Sequence, residues 1–229
     1  EPLVEAEKFL NAEHEVTEPQ QALDGARAIL IERFAEHADL LAAARQYMLE
    51  AAHVSSTVNK AKKEEGAKFS DYFEYTELYK NIPSHRALAL LRGRREGFLS
   101  LTLDVPDTDP PRVKHPCEVM IAKAFDIKDA GRPGDSWMAA VVAWAWRVKI
   151  HLHIETDLMG KLREAAEMEA INVFGNNLKD LLLAAPAGAK ATMGLDPGLR
   201  TGVKVAVVDP TGKLLDHTAI YPHAPKKQW

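Results

Sequence analysis

The feature that most constrains this fold is a helical pattern that runs from Ser136 to Phe174. Apolar residues recur in it at alternating steps of four and three, which is typical of an α-helix with one buried face. The predicted inner face consists of Trp137, Val141, Trp144, Val148, Leu152, Glu155, Met159, Leu162 and Ala166. An uninterrupted helix would be roughly 58 Å long at 1.5 Å per residue, with Gly160 and Gly175 as the best positions for a bend. The pattern predicts a mainly α protein built around a long central helix.

The composition indicates a globular protein of a reducing compartment. Apolar residues make up 46% of the chain and charged residues 27%, which is enough apolar material for one or two cores. The only cysteine, Cys117, excludes an intramolecular disulfide and favours the cytoplasm. The longest apolar run, Met138 to Trp146, is shorter than the roughly 20 residues of a membrane span, and no signal-peptide pattern follows Glu1. We therefore expect a cytoplasmic protein without membrane association.

Charge is distributed unevenly along the chain. The net charge is -4, yet the last 41 residues carry six Lys and Arg against three Asp. An acidic body followed by a basic end is a weak indication of nucleic-acid binding near the C-terminal end, because cations attract phosphate. An ordinary solvated surface can have the same distribution.

Several shorter elements are predicted upstream of the long helix. One amphipathic helix begins at Glu18 with Pro19 in its first turn, and a second spans about Leu40 to Val58. The segment from Phe98 to Val105 alternates apolar and polar residues, which predicts a single strand or extended edge. A short helix around Cys117 to Phe125 follows.

Residues 69–95 resemble a helix-turn-helix. The aromatic segment Phe69 to Tyr79 leads through a proline turn into a second helix, for which Ser84 is a suitable N-cap and Gly93 a suitable stop. The candidate phosphate contacts on or just beyond that helix are Arg86, Arg92, Arg94 and Arg95. In a DNA-binding version these arginines would meet phosphates or a groove. The alternative is that they cover a solvated face beside the acidic body.

Two other polar features favour structural roles. A helix directs His151 and His153 to different sides, so those two cannot share a metal ion, and only His151 and Glu155 face the same way. A packed or solvated helix face is the favoured interpretation. Cys117 has no obvious histidine partner, so a nucleophilic role is not favoured.

After residue 188 the apolar period changes from 3.6 to two. The pattern predicts a strand ending at Asp196, a tight turn, a second strand from near Gly202, and a third strand from Leu214 to Tyr221. Asp196 has three interpretations: a Mg²⁺ ligand in an RNase H-like nuclease, part of a phosphate-binding hairpin in an actin-like ATPase or sugar kinase, or a cap of the turn. The spacing alone leaves all three open.

The residues around Asp196 resemble a known family. Asp196-Pro197-Gly198 followed by Arg200-Thr201-Gly202 resembles the opening strand of Holliday-junction resolvases and of the YqgF group within the RNase H-like superfamily, whereas kinases usually have a Gly-Thr-Thr or Gly-Thr-Ser turn there. Met193 to Lys204 more specifically resembles the bacterial Tex family of transcription accessory proteins. The upstream stretches that agree are Asp24–Arg27, Glu65–Phe69, Pro83–Ala89, Leu91–Arg94 and Leu162–Ala166. The resemblance covers nearly the whole chain.

This resemblance implies both the domain organisation and the function. Residues 1–188 would be the helical N-terminal and central region, with the helix-turn-helix-like segment at about 69–95 and the long helix at about 136–174. Residues 189–229 would be the first three β-strands of a truncated RNase H-like (α/β) domain. The expected function is a nucleic-acid-binding scaffold associated with transcription, with RNA or DNA as partner and the transcription machinery as a further candidate. Arg200 and Lys204 then become expected nucleic-acid contacts.

Catalysis is not expected from these residues. A nuclease needs several carboxylates to hold Mg²⁺, and after Asp196 the only acidic residues are Asp209 and Asp216, both in or next to turns. Asp196 is a candidate catalytic and metal-binding residue only under the alternative hypothesis of a Mg²⁺-dependent, resolvase-like nuclease. Otherwise no cofactor is expected.

Overall fold

The computed structural model describes residues 1–107, 114–185, 188–198 and 201–222. It consists of two compact units, Glu1–Val173 and Phe174–Trp229, and each is considered by itself. Within the described ranges, no helix combines the length and the apolar character needed to cross a membrane.

The first unit is mainly helical, with one small sheet. Its helices are α1 (Pro2–Ala6), α2 (Pro19–Ala35), α3 (Ala38–Ala51), α4 (Ser84–Arg95), α5 (Pro116–Ala124), α6 (Asp135–Ala145) and α7 (His151–Leu182), the last of which continues into the second unit. Its strands are β1 (His53–Val58), β2 (Glu74–Leu78) and β3 (Leu99–Asp104). As predicted, α2 has a proline in its first turn, where the missing N–H costs no hydrogen bond.

The long central helix is confirmed. α6, a π-helical turn (Trp146–Ile150) and α7 follow one another without a break over 48 residues. The predicted inner face is correct at Val141, Met159 and Ala166, which are buried. It is wrong in between, where Trp144, Val148 and Leu152 are exposed and Ala145, Trp146, Ile150 and Ile154 are buried instead. The π-turn explains part of this difference, because it inserts a residue into the regular α-helical period.

The sheet of the first unit has the order β2-β1-β3, and both pairings are antiparallel. The strand predicted between Phe98 and Val105 is confirmed as β3. The helix predicted from Leu40 to Val58 is wrong beyond Ala51, because its last six residues form the central strand β1. That segment is rich in β-branched residues and buries alternate side chains, both of which suit a strand.

The helix-turn-helix-like element differs from the prediction in its first half. α4 stands in the position of the second helix, but the aromatic segment before it forms two 3-10 turns, Ala67–Tyr72 and Tyr79–Asn81, on either side of β2. β2 pairs along its whole length with β1. Pairing with a distant strand therefore overrides the local helical pattern.

A glycine seats α4 closely against β3. Gly93 lies inside the last turn of α4, which continues to Arg95, so the predicted stop at Gly93 is wrong. A Cβ atom at Gly93 would lie 2.4 Å from Cδ1 of Leu99, a distance that no side chain could tolerate without movement. The chain reverses two residues after the helix, at Gly97, whose φ of +76° favours glycine. This reversal brings the arginine-rich end of α4 beside the start of β3.

The core of the first unit is formed by side chains from α2 to α7 and from the sheet. Its largest fully buried members include Phe34, Met48, Leu90, Leu103, Ile121, Val141, Ile150, Ile154 and Leu158. One buried polar contact lies within this core: the hydroxyl of Tyr79 donates to the carbonyl of Leu158 at 2.8 Å. Of the tryptophans of the long helix, Trp146 is buried, whereas Trp144, which the predicted inner face includes, is exposed.

The second unit contains an antiparallel sheet with the order β4-β5-β6, which confirms the three predicted strands. Their bounds are β4 (Thr192–Asp196), β5 (Val203–Val208) and β6 (Leu214–Ile220). The first hairpin closes through the N–H of Gly198, which donates to the carbonyl of Gly202 at 3.1 Å. Because side chains alternate along a strand, the register places Asp196, Lys204 and His217 on one face of the sheet.

Candidate nucleic-acid interface

α4 distributes the four predicted arginines around its circumference. At 3.6 residues per turn, Arg92 and Arg95 lie about 60° apart, whereas Arg94 lies about 160° from Arg92. Arg86 lies on a further side of the helix, so the four do not form one row. Arg92, Arg94 and Arg95 occupy the last turn, where the helix dipole favours cations. Since the dipole alone could account for them, a binding role needs support from their surroundings.

Arg86 is engaged within the protein. Its Nη1 donates to both carboxylate oxygens of Glu77 on β2, at 3.3 and 3.2 Å. The hydroxyl of Tyr75 donates to the same carboxylate. Burial, together with this hydrogen bond to Glu77, raises the pKa of Tyr75 to about 12. Arg86 therefore neutralises a carboxylate beside the sheet, and of the four arginines it has the least free charge to offer a phosphate.

Arg92 belongs to a cluster of three charged side chains. Its Nε lies 2.7 Å from one oxygen of Glu96, and Nζ of Lys68 lies 2.5 Å from the other. The hydrogen bonds from Lys68 and then from Arg92 lower the pKa of Glu96. Two cations against one carboxylate leave a net positive charge at this point. Within the described part of the chain, the exposed Arg94 and Arg95 form no ion pair.

The structure adds a lysine-rich segment that the sequence analysis missed. We call residues 60–68, between β1 and β2, the basic turn; its lysines are Lys60, Lys62, Lys63 and Lys68, all exposed. Asn59 fixes the turn beside the end of α4, because its N–H donates to the carbonyl of Phe98 at 2.8 Å and its amide donates to the carbonyl of Gly97 at 3.4 Å. The run Lys60-Ala61-Lys62-Lys63 was visible in the sequence, but the residues that lie beside it in the folded chain were not.

Aromatic rings lie among these cations. Nζ of Lys68 is 5.0 Å from the ring centre of Phe69 and 5.7 Å from that of Phe98, and Nζ of Lys62 is 5.9 Å from Phe98. These distances are within the range of cation–π attraction. We call the four lysines of the basic turn together with Arg92 and Arg95 the basic patch. It joins two parts of the sequence into one surface that carries both positive charge and aromatic rings.

His151 and Glu155 have a structural role at the edge of the first sheet. Nε2 of His151 lies 2.8 Å from the carbonyl oxygen of Leu103, and the N–H of Leu103 donates to Glu155 Oε1 at 3.0 Å. The long helix thus satisfies both backbone groups of a buried residue on the edge strand β3. Cys117 is also buried, and burial raises the pKa of its thiol to about 12. An inert, packed thiol agrees with the structural role expected for it.

In the second unit, Asp196 is paired with Lys204. Oδ2 of Asp196 lies 3.4 Å from Nζ of Lys204 on the neighbouring strand, and both side chains are exposed. Arg200, the other residue expected to contact nucleic acid in this unit, lies outside the described residues.

The acidic residues of the second unit do not fit a two-metal nuclease site. Asp209 is used by its own turn, since its Oδ1 accepts hydrogen bonds from the hydroxyl and N–H of Thr211 at 2.6 and 2.8 Å, and the hydroxyl contact lowers its pKa most. Asp216 pairs with Val207, which places it on the face of the sheet opposite Asp196. In the part of the chain that the structure describes, no three His, Cys, Asp or Glu residues are grouped to hold a metal ion. A lone aspartate cannot hold two divalent ions.

Two protein-family models match the chain: Tex central region-like over residues 1–174, and Tex protein YqgF-like domain over residues 190–229. Protein YhgF of Escherichia coli (strain K12) is 56% identical over 223 residues, which are 97% of this chain and 29% of YhgF. Transcriptional accessory protein Tex of Neisseria gonorrhoeae is 48% identical over 219 residues, 95% of this chain and 28% of the relative. A more distant relative, S1 RNA-binding domain-containing protein 1 of Homo sapiens, is 27% identical over 166 residues, 68% of this chain and 16% of the relative.

The chain therefore spans less than a third of the length of these curated relatives. The first family model ends at residue 174 and the second begins at residue 190. Because the first model alone covers well over half of the residues, the chain belongs to the Tex family.

Proposed function

We propose that this chain binds nucleic acid, RNA or DNA, as part of a transcription accessory protein, and that the basic patch holds the phosphates. One observation carries the proposal: the basic turn and the last turn of α4, about 30 residues apart in sequence, meet on one surface through the contacts of Asn59 with Gly97 and Phe98. The helix dipole accounts for arginines at the end of α4 but not for lysines in the basic turn. A sugar-phosphate backbone is the common ligand of such a surface.

The local charge supports this proposal. Residues 60–68 and 92–96 together contain seven Lys and Arg against three Glu, whereas the whole chain has a net charge of -4. Positive charge is thus concentrated at one place on an acidic protein, and such a concentration steers polyanions to that place. The names of the gonococcal and human relatives, which refer to transcription and to RNA binding, are in keeping with it.

Three further points belong to the proposal. A cytoplasmic location and a contact with the transcription machinery go with the proposed role. Binding requires no cofactor, because ammonium and guanidinium groups contact phosphate directly. Lys204 and Arg200 remain proposed contacts of the second unit, and Asp196 is assigned no catalytic step.

The proposal can be tested by the salt dependence of binding. Fluorescence anisotropy with a fluorescein-labelled single strand would be measured for this chain and for a variant with Lys60, Lys62 and Lys63 replaced by alanine, over a series of KCl concentrations. If each lysine contacts one phosphate, the slope of log K against log [KCl] should become less steep by about 2, at about 0.7 per contact. Binding should also weaken.

The matched control replaces three lysines outside the basic patch, Lys8, Lys123 and Lys128, and removes the same total charge. It should change the slope by much less than the patch variant. Equal slopes for the two variants would show that only the overall charge matters, and unchanged binding in the patch variant would refute the proposed interface.

A further inference from the structure

A groove with a volume of about 990 Å³ lies between α1, α2 and the beginning of α6. Most of the residues that line it are apolar, and they include Phe9, Ile29, Trp137 and Met138. Phe9 is 71% exposed and Ile29 is 70% exposed, so these large side chains remain open to solvent in the folded chain. Apolar surface that is both exposed and concave is typical of a binding site.

α2 offers this groove a face to which another helix can come close. Ala22, Gly25, Ala26 and Ile29 line the groove at steps of three, one and three, so they share one side of α2. No atom lies within 4 Å of the position that a Cβ of Gly25 would take. Because the side chains at the contact set the distance between two packed helices, three small residues in this row allow a close approach.

The backbone around the groove favours a helical ligand over an extended one. The residues that line it belong to helices and to the turns beside them, and none of them belongs to β1–β6. Helical N–H and C=O groups are bonded within their own helix, so they offer few partners to an extended peptide. Val16, in one of the turns, exchanges both backbone hydrogen bonds with Asn11, at 2.8 and 3.0 Å. A helix satisfies its own backbone and needs only side-chain contacts.

The charge beside the groove is negative. Glu1, Glu5 and Asp135 line it against one cation, Arg132, whose guanidinium lies 2.8 Å from the carboxylate of Asp135. Residues 1–18, which form one side of the groove, contain six Glu and one Lys, whereas the net charge of the whole chain is -4. The acidic character of the chain is thus concentrated next to its exposed apolar groove. A complementary ligand carries cations beside an apolar surface.

We propose that this groove binds an amphipathic helix of a protein partner, with apolar side chains on one face and Lys or Arg along its borders. The apolar face of that helix packs on α2 and Met138, and its cations lie beside the carboxylates of residues 1–18. A second copy of this chain fits less well, because two such grooves would bring like charges together. The proposal is independent of nucleic-acid binding, since the groove and the basic patch share no residue.

The test uses three fluorescein-labelled peptides of about 18 residues, or about five helical turns. The first peptide has leucine on one helical face and lysine on the rest. The second has glutamate in place of each lysine, and the third has the residues of the first in an order without a helical period. Fluorescence anisotropy should show that this chain binds the first peptide about tenfold more tightly than either of the others.

Gly25→Leu fills the groove without changing its charge. It should weaken binding of the leucine-lysine peptide about tenfold, because the new side chain occupies the place of one from the partner. Gly160→Leu is the matched control, since it also replaces a helical glycine whose Cβ would have no atom within 4 Å, and it should bind as this chain does. Leucine is favoured over glycine in a helix, so both variants should fold, which urea unfolding would check.

The charge of the partner is tested by exchange. Replacing Glu1 and Glu5 by lysine should weaken binding of the leucine-lysine peptide and strengthen binding of the leucine-glutamate peptide. The control replaces Glu164 and Glu167, two exposed residues of α7 outside the groove, by lysine and changes the total charge equally. It should alter both affinities much less.

The outcomes separate a helix-binding groove from its alternatives. Equal affinity for the first and third peptides would reduce the interaction to charge attraction, and equal affinities of Gly25→Leu and Gly160→Leu would place binding elsewhere; either result overturns the proposal. It is also overturned if sedimentation velocity shows that this chain self-associates and that Gly25→Leu abolishes the association, since the occupant would then be a second copy. Gly25→Leu should leave nucleic-acid affinity unchanged, so failure of the proposed function would not affect the peptide results.

Discussion

Replacing Gly93 by alanine should destabilise the first unit, because the added methyl group has no room between α4 and β3. The new Cβ would lie 2.4, 2.8 and 3.4 Å from Cδ1, Cγ and Cβ of Leu99, which is only 5% exposed. Overpacking of this kind costs about 1–3 kcal/mol. Alanine is favoured over glycine inside a helix by about 1 kcal/mol, which offsets part of that cost. The expected net loss is up to about 2 kcal/mol.

The control for this change is Gly160→Ala in α7. No atom lies within 4 Å of the position where its Cβ would be placed, so the substitution should stabilise the helix by about 0.5–1 kcal/mol. Urea unfolding followed by tryptophan fluorescence would compare the two variants with this chain. The midpoint should fall for Gly93→Ala and rise for Gly160→Ala. If both variants were stabilised alike, the close approach of α4 to β3 would not be what requires glycine at position 93.

Two further changes test single contacts. Glu155→Leu should lower the free energy of unfolding by about 1–3 kcal/mol, because it leaves the buried N–H of Leu103 without an acceptor. Glu155→Gln is the control, since it keeps an acceptor oxygen. Equal urea midpoints for the two variants would contradict a role for this hydrogen bond in stability. The hydrogen bond from Arg132, followed by the N–H groups of Ala130 and Arg132, lowers the pKa of Asp135 to about 2. Its carboxylate should therefore stabilise the fold above about pH 4 and cease to do so as the pH falls to 2. Asp135→Asn should be less stable than this chain at pH 7, and this difference in stability should shrink between pH 4 and pH 2. A difference that stayed constant over that pH range would contradict the prediction.

The elements that could be predicted from the sequence are those whose pattern is long or local. The central helix repeats its period over more than thirty residues, so its existence was clear although the π-turn at Trp146–Ile150 shifted the buried face. The hairpin after residue 191 follows from turn residues between two short apolar runs. Neither element depends on knowing which distant segment it contacts.

β1 and β2 could not be predicted in the same way. The apolar period of α3 continues smoothly into His53–Val58, and the aromatic residues before α4 are compatible with a helix as well as with a strand. What decides the matter is pairing: β1 lies between β2 and β3, and its register with β3 joins His53 to Asp104, about fifty positions away. Once β3 supplies that template, the β-branched residues of β1 complete a sheet, whereas a longer α3 would leave β3 without a partner.

The same pairing explains why only part of the candidate interface could be predicted from the sequence. The arginines of α4 were visible as a local cluster, but Arg86 turned out to be neutralised by Glu77, a residue of β2 that has its position only because β2 pairs with β1. The lysines between β1 and β2 are brought beside α4 because β1 also pairs with β3, so the turn after β1 meets the residues that precede β3. The pairing within this sheet therefore neutralises one cation of the predicted set, Arg86, and brings the four lysines of the basic turn beside the others. The resulting surface depends on the sheet, so substitutions that disrupt β1 should weaken nucleic-acid binding even when every lysine and arginine is retained.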